Sequence, residues 1–373
     1  MISPASIIPL LVSLSSLLLS ADEAEIIFAG DAMQHQSQLN AARTPGGGFD
    51  YSACFSALAP YIASADYAVV NLECPLGGSP YAGYPMFCAP DAYAEALRDA
   101  GFDLALTANN HMLDRRDRGL RRTVTVLDSI GLSHTGTYAS PEDRASEVPF
   151  MADINGFRCA FLNYTYGTNG ITPGPGVAID YIDTLRMRAD IHAARAAGAE
   201  IVTACVHWGV EYRLLPEPSQ RRLAAALRAM GADIVMGGHP HVIQPMELTP
   251  GPDGRQGLTV YSLGNFISGM RTADTRGGAI ASVTLRRDSL GRAYVADAAY
   301  RLVFTLTPVS PGENFRLIPA EQPAPDPLRN DQRREFVRRA DEVFSRHNIS
   351  VPRDSLPIPG IVRRRALRRA LQL

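Results

Sequence analysis

The run Gly237-Gly238-His239-Pro240-His241 places two imidazoles around a turn directly after an apolar segment. Ala232, Asp233, Ile234, Val235 and Met236 read as a short buried strand that the paired glycines end. His239 and His241 therefore sit at the carboxyl end of a strand, where α/β sheets gather their ligands. Two imidazoles on one turn are suited to holding a metal ion.

The same arrangement recurs along the chain. Gly30-Asp31 follows the strand-like run Ile26 to Ala29, and Asn71-Leu72-Glu73 closes the run Ala68 to Asn71. Asn109-Asn110-His111 follows Leu104 to Thr107, and His207-Trp208-Gly209 follows Ile201 to Val206. Taken singly, an Asp after a strand caps a helix and a His fills a core. Their repetition at successive strand ends instead predicts one shared site. Mixed carboxylate, amide and imidazole donors suit one or two divalent ions such as Mn, Fe or Zn, and the lack of paired Cys nearby argues against a structural zinc cage. Two such ions would generate hydroxide at neutral pH and clamp the attacked oxygen of an ester.

Apolar strand-like runs alternate with amphipathic stretches from Ile26 onward, the pattern of an α/β architecture. Further strands are expected at 159–163, 234–236 and 259–263, and helices over 91–100, 117–130, 183–197 and 217–230. Residues 278–287 and 293–306 read as a hairpin turning at Asp288 to Arg292 and closing the body. Residues 307–329 read as a Pro-rich linker or a strap across the surface. In the C-terminal extension 330–373, an apolar stripe of Phe336, Val337, Ala340, Val343 and Phe344 predicts an amphipathic helix over 330–347, docked on the body. The Arg-rich segment 361–373 reads as a solvated, partly frayed end.

With 373 residues and 46% hydrophobic composition, the chain has material for one large core or two smaller ones. Every basic residue is Arg, which excludes lysine Schiff-base chemistry and a Walker-type phosphate lysine. Residues 1–20 carry no charge, and Leu19-Ser20-Ala21 offers a small-residue cleavage site. Residues 1–21 therefore read as a signal peptide, with an N-terminal anchor as the alternative, and imply export. Five cysteines leave at least one thiol free; Cys159 and Cys205 lie in apolar runs and are expected in the core.

The ordered motifs carry more than their separate chemistry. Gly30-Asp31-Ala32-Met33, Asn71-Leu72-Glu73, Ala108-Asn109-Asn110-His111 with Asp114 and Gly119, His207-Trp208-Gly209 with Glu211, Gly238-His239-Pro240-His241 with Gln244, and Ser262-Leu263-Gly264-Asn265-Phe266 stand in one order. From about Ile26 to Val303 the chain resembles the CapA family of bacterial capsule, or poly-γ-glutamate, biosynthesis proteins. The resemblance implies a calcineurin-like metallophosphatase fold over 24–306, an αββα sandwich of two packed sheets flanked by helices. It also implies work outside the cytoplasm, in the periplasm or cell envelope. The partners it implies are an anionic envelope polymer or its precursor and membrane-bound capsule synthesis machinery; no nucleic-acid partner is expected.

Carried over position by position, Asp31 resembles the first-motif metal aspartate and Asn110 the amide ligand of a second metal. His111 resembles the histidine that assists the leaving group, His207 and His239 would hold the second metal, and His241 the first. Glu73 stands where typical phosphoesterases have a bridging aspartate. Met33 departs from the pattern, because a histidine is usual two residues after the aspartate; His35 is the candidate substitute. Asn71, Asn109, Asp114 and Gln244 belong to the motif neighbourhoods. Glu211 is expected to orient His207, and Trp208 to line the cleft or fill the core. Asn163, Tyr164 and Tyr166 are expected to form a substrate-reading loop, and Asn265 to donate to an oxyanion or to stabilise its own turn. The favoured expectation is an exported metal-dependent hydrolase of phosphate esters. A non-catalytic polymer-binding or assembly factor and an amide hydrolase of poly-γ-glutamate are the alternatives.

Overall fold

The computed structural model describes residues 23–251 and 254–354. The first half runs β1 (Glu23–Ala32), α1 (Gln36–Ala42), α2 (Ser52–Phe55), α3 (Ala59–Ile62), β2 (Tyr67–Leu72), α4 (Asp91–Ala100), β3 (Leu104–Leu106) and α5 (Arg116–Ile130). It continues through β4 (Ser133–Thr135), β5 (Thr137–Tyr138), α6 (Pro141–Glu147), β6 (Phe150–Ile154), β7 (Phe157–Thr165), β8 (Ala178–Ile179) and α7 (Thr184–Ala196). The second half holds β9 (Ile201–His207), α8 (Pro218–Met230), β10 (Ile234–Gly238), β11 (Met246–Pro250), β12 (Gln256–Val260) and β13 (Asn265–Ile267). The last elements are β14 (Gly277–Arg287), β15 (Ala293–Leu306), β16 (Arg316–Pro319) and α9 (Pro327–His347).

Two large sheets result. One orders its strands β16-β15-β14-β1-β2-β3-β4, with β13 also pairing β1; the other orders them β11-β12-β10-β9-β7-β6. Strands β1 to β4 are mutually parallel, as are β7, β9, β10 and β12, so the carboxyl ends of each set gather at one edge. Side-chain alternation explains the layering. Ile26, Phe28, Val69, Cys159, Phe161, Ile201 and Cys205 point into a core shared by both sheets. Their neighbours Ile27, Ala29, Ala68 and Val70 meet Tyr93, Ala94 and Leu97 of α4 and Val126 and Leu127 of α5. On the other side Ala160, Leu162, Val202 and Ala204 meet Met187 and Ile191 of α7 and Leu227 of α8. These layers make the αββα sandwich.

Strands buried on both faces read as continuous apolar runs, which is why the expected segments fall within β1, β2, β7, β9 and β10. The four expected helices match α4, α5, α7 and α8 to within a residue at either end. The hairpin turn lies at Asp288, whose N–H donates to the Arg292 carbonyl at 3.0 Å. Two expectations need correction. The strand placed at 259–263 is β12, ending at Val260, because Tyr261 to Gly264 form the turn that brings Gly264 against β1. The 307–329 linker contains β16, which adds to the sheet beside β15; its Leu317 is fully buried, so this stretch belongs to the body. Helix α9 docks as expected, with Phe336 6.1 Å from Phe304 between ring centroids. The cysteines are all buried and free. Residues 1–21 and 361–373 lie outside the described residues, and among the described residues no helix is long and apolar enough to cross a membrane.

The tightest joint in the sandwich is at the end of β1. The Asp31 N–H donates to the Gly264 carbonyl at 3.0 Å, and a Cβ on Gly30 would lie 2.0 Å from that same oxygen. Gly30→Ala is expected to destabilise the fold by about 1–3 kcal/mol through overpacking and to weaken metal binding, measured by denaturant unfolding and calorimetric metal titration. Wild-type values for both would show that the joint is not needed.

Candidate metal centre

Each donor reaches the site because a strand ends beneath it. Pairing along β1 shifts register between Ala29 and Asp31, turning the Asp31 carboxylate to the edge where β13 joins. Asn71 lies near the end of β2, and Glu73 follows with its N–H on the Ala32 carbonyl at 3.1 Å. Past β3, Asn109 Nδ2 donates to the Leu72 carbonyl at 2.8 Å and to Asn71 Oδ1 at 3.3 Å. That clamp places Asn110 and His111. His207 is the last residue of β9, and His239 and His241 follow β10 with φ of 100° and 58°. A left-handed backbone in two histidines is strain of the kind that persists where neighbours fix a functional geometry.

Asp31 Oδ1 accepts from Asn71 Nδ2 at 2.8 Å, and Asp31 Oδ2 lies 3.1 Å from His241 Nδ1. Glu73 Oε1 is 3.5 Å from His207 Nε2 and 3.8 Å from His241 Nε2. His207 Nε2 faces Asn110 Oδ1 at 2.8 Å. Glu73, His239 and His241 each bring one ligand atom to within 4.8 Å of the others, and so do Asp31, Glu73 and His207. Glu73 is common to both groups, and His207 and His239, which the family resemblance pairs, stand with ring centroids 4.8 Å apart.

Electrostatics favours a cation. Burial pulls His207 down to about 3 and His239 to about 2, so both rings are neutral and keep a lone pair. Burial opposes charge on His241 too, but the Glu73 and Asp31 carboxylates outweigh it and raise the ring to about 9. Burial likewise raises Asp31, yet the hydrogen bond and charge of His241, with His207 and Asn71, bring it down to about 2. Asp31 and Glu73 thus share the one raised ring, His241. Glu73, buried and beside the Asp31 carboxylate, is pushed well above the ordinary carboxylate range. Its Oε1 and the His239 Nδ1 are buried with no hydrogen-bond partner. Orphaned acceptors among mixed oxygen and imidazole donors fit a divalent metal ion.

His111 stands beside this cluster. Its Nδ1 lies 2.8 Å from Asp114 Oδ2, which also accepts the Phe87 N–H at 2.7 Å. A carboxylate only accepts, so Nδ1 carries the proton and Nε2 is left free. Asn169, absent from the sequence reading, accepts from Asn110 Nδ2 at 3.2 Å and lies 3.4 Å from His111 Nδ1. Asn169-Gly170 has two successive positive φ angles, 49° and 73°, the backbone that an Asn-Gly turn signals.

Several expected residues are placed elsewhere. His35 does not replace the histidine missing at Met33: its Nδ1 accepts from the Gly269 N–H at 3.1 Å. Burial holds that ring down at about 4, so its single proton is on Nε2 and no lone pair is left for a metal. Met33 itself is core, as its apolar character requires. Asn163 braces the sheets, accepting from the Ala108 N–H at 2.7 Å and donating to the Cys205 carbonyl at 3.4 Å. Tyr164 points the opposite way, as strand alternation dictates, and donates to Asp190 at 3.0 Å. Trp208 is buried against the helix layer with Nε1 on the Tyr261 carbonyl at 2.9 Å. Glu211 is not among the hydrogen-bond partners of the His207 ring, which are Asn71 and Asn110. Gln244 ties the Arg213 carbonyl to Gln220 at 2.7 and 2.9 Å. Asn265 spends its amide on the Thr275 carbonyl at 2.9 Å, so it stabilises its own turn. Of the expected substrate loop, Tyr166 alone reaches the site, its ring 4.7 Å from His239.

Facing sheets, outer helices and a carboxylate, amide and imidazole cluster at converging strand ends define an αββα sandwich with a candidate metal site at one edge. The chain belongs to the bacterial capsule synthesis protein family PGA_cap, whose model matches residues 25–270. It is 29% identical over 253 residues to the capsule biosynthesis protein CapA of Bacillus anthracis, covering 64% of this chain and 59% of that protein. It is 30% identical over 209 residues to the PGA biosynthesis protein CapA of Bacillus subtilis strain 168, covering 53% and 51%. The chain therefore spans little more than half the length of either relative. Among solved structures it is similar to the Haemophilus influenzae NAD nucleotidase NadN, with 12% identity and a TM-score of 0.47 over 94% of this chain and 66% of that one.

The amide of Asn110 is oriented by Asn169, so Asn169→Ala is expected to weaken metal binding about 10–100-fold while circular dichroism stays unchanged. Calorimetry with Mn or Zn reads the affinity, and an unaltered value would remove Asn169 from the site. Glu73→Gln is expected to lower metal content by one ion per chain, measured by elemental analysis; an unchanged content would rule out a shared carboxylate.

Proposed function

We propose that this chain is an exported, metal-dependent hydrolase of phosphoesterase type that acts on an envelope polymer of capsule synthesis or on its lipid-linked precursor. The reading rests above all on Glu73 Oε1, a buried acceptor with no partner, set among the donors that converge from both sheets. Asp31, Glu73, Asn110, His207, His239 and His241 would hold the ion. When bound, it would supply Lewis-acid stabilisation of the attacked phosphoryl oxygen. Asn71 and Asn169 orient the Asp31 carboxylate and the Asn110 amide. Asp114 accepts from His111 Nδ1, which leaves Nε2 as the nitrogen that would donate a proton to the leaving-group oxygen when both ring nitrogens are protonated. Such a route needs no covalent protein intermediate. Family membership supports the link to capsule synthesis, and the uncharged leader supports export.

Met33 favours a second reading, an assembly factor that grips polymer without cleaving it, because one imidazole of the usual pattern is missing and His35 does not restore it. Hydrolysis of bis(p-nitrophenyl) phosphate by metal-loaded protein separates the two. His239→Ala is expected to lower turnover by about 100-fold or more, and His111→Ala to lower it with metal content retained. Absence of turnover in wild type at full metal occupancy would favour the assembly factor.

A further inference from the structure

Three tyrosines stand around the metal cluster and take no part in holding it. Tyr166, Tyr212 and Tyr84 are 48%, 55% and 73% exposed, too open to be core. Tyr166 and Tyr212 are nevertheless seated against the cluster, and Tyr84 against Phe87 beside it. The Tyr166 ring lies 4.7 Å from His239 and runs within 8° of parallel to His207 at 6.3 Å. The Tyr212 ring is 6.3 Å from His241. Tyr84 packs on Phe87 at 6.2 Å, and Phe87 packs edge-on against His111 at 4.6 Å.

Tyr212 is held at φ 66°, a conformation costly for a bulky residue. Its N–H donates to the Pro240 carbonyl at 2.8 Å, between the two histidines of the turn. The loop that presents the ligands thus also fixes this ring. Outside the ion site this mouth is lined by aromatic rings. Tyrosine offers a flat apolar face at low entropic cost and suits an uncharged ring.

We propose that the tyrosine rim is the specificity subsite of the phosphoesterase, and that it takes a neutral ring, sugar or nucleobase, carried beside the phosphate. The phosphate half of this substrate rests on the function proposed above; the ring half does not.

The test is calorimetric binding of phenyl phosphate and methyl phosphate to the metal-loaded full chain, with turnover read in parallel. Phenyl phosphate is expected to bind about tenfold more tightly, the effect of one stacked ring. The Tyr84→Ala/Tyr212→Ala double variant is expected to bring the ratio within about twofold, and Tyr212→Phe, which keeps the ring, to retain it. Glucose 1-phosphate and uridine 5′-monophosphate then distinguish sugar from base by which one shows a rim-dependent gain. Equal wild-type affinity for phenyl and methyl phosphate would overturn the proposal. So would a ratio unchanged in the double variant, or displacement of phenyl phosphate by a γ-linked glutamate oligomer in a salt-sensitive manner. Ring preference without turnover leaves the rim standing and removes the hydrolase; turnover without ring preference does the reverse.

Discussion

The buried charge of Asp31 is the constraint around which the molecule is arranged. A carboxylate with no solvent exposure is tolerated only when protein groups replace its lost water. Those groups come from both halves of the sandwich: Asn71 from the adjacent strand and His241 from the loop after β10 in the facing sheet. The two sheets must therefore meet at this edge with their strand ends aligned to within a hydrogen bond. The turn at Gly264 closes against β1, and the clamp from Asn109 to the end of β2 serves the same alignment.

Satisfying Asp31 leaves the rest of the cluster unsatisfied. The one imidazole raised to about 9, His241, faces both carboxylates, with Nδ1 on Asp31 and Nε2 3.8 Å from Glu73 Oε1, so two buried acids compete for it. The free oxygen of Glu73 and the unpartnered nitrogen of His239 face a region that protein groups do not fill with donors. In a core designed only for stability such atoms cost free energy and would be replaced. Their presence, together with left-handed backbone at His239 and His241, is what a site preorganised for a cation requires.

Much of this was legible in the sequence because it depends on local pattern. Continuous apolar runs marked the buried strands, and polar residues at their ends marked the edge where the site lies. What sequence spacing left open was direction. Asn163 and Tyr164 are neighbours, as are His207 and Trp208, and strand alternation sends the members of each pair to opposite faces. Alternation removes Tyr164 and Trp208 from the site; Asn163 keeps the side of His207 but spends its amide on the Ala108 N–H and the Cys205 carbonyl. Asn169 and Tyr212 were missed because they reach the site from turns, where no periodicity aims a side chain. Strand β16 was hidden by its prolines: Pro319, which cannot donate to a ladder, ends a short outer strand where that loss is tolerated.

Met33 shows how one substitution can shift the weight of such a site. A histidine there would bring a neutral donor beside Asp31; the thioether instead packs in the core against the α-helical layer. His35 cannot compensate while its Nδ1 accepts from Gly269, because the ring's proton then occupies the other nitrogen. The donors around Asp31 are accordingly fewer, and Glu73, common to both ligand groups, carries a larger share of the coordination than a bridging carboxylate flanked by a full set of imidazoles would. A shared ligand couples the two positions. An ion at one would draw Glu73 toward its charged form, and the carboxylate so formed would face the other position as well.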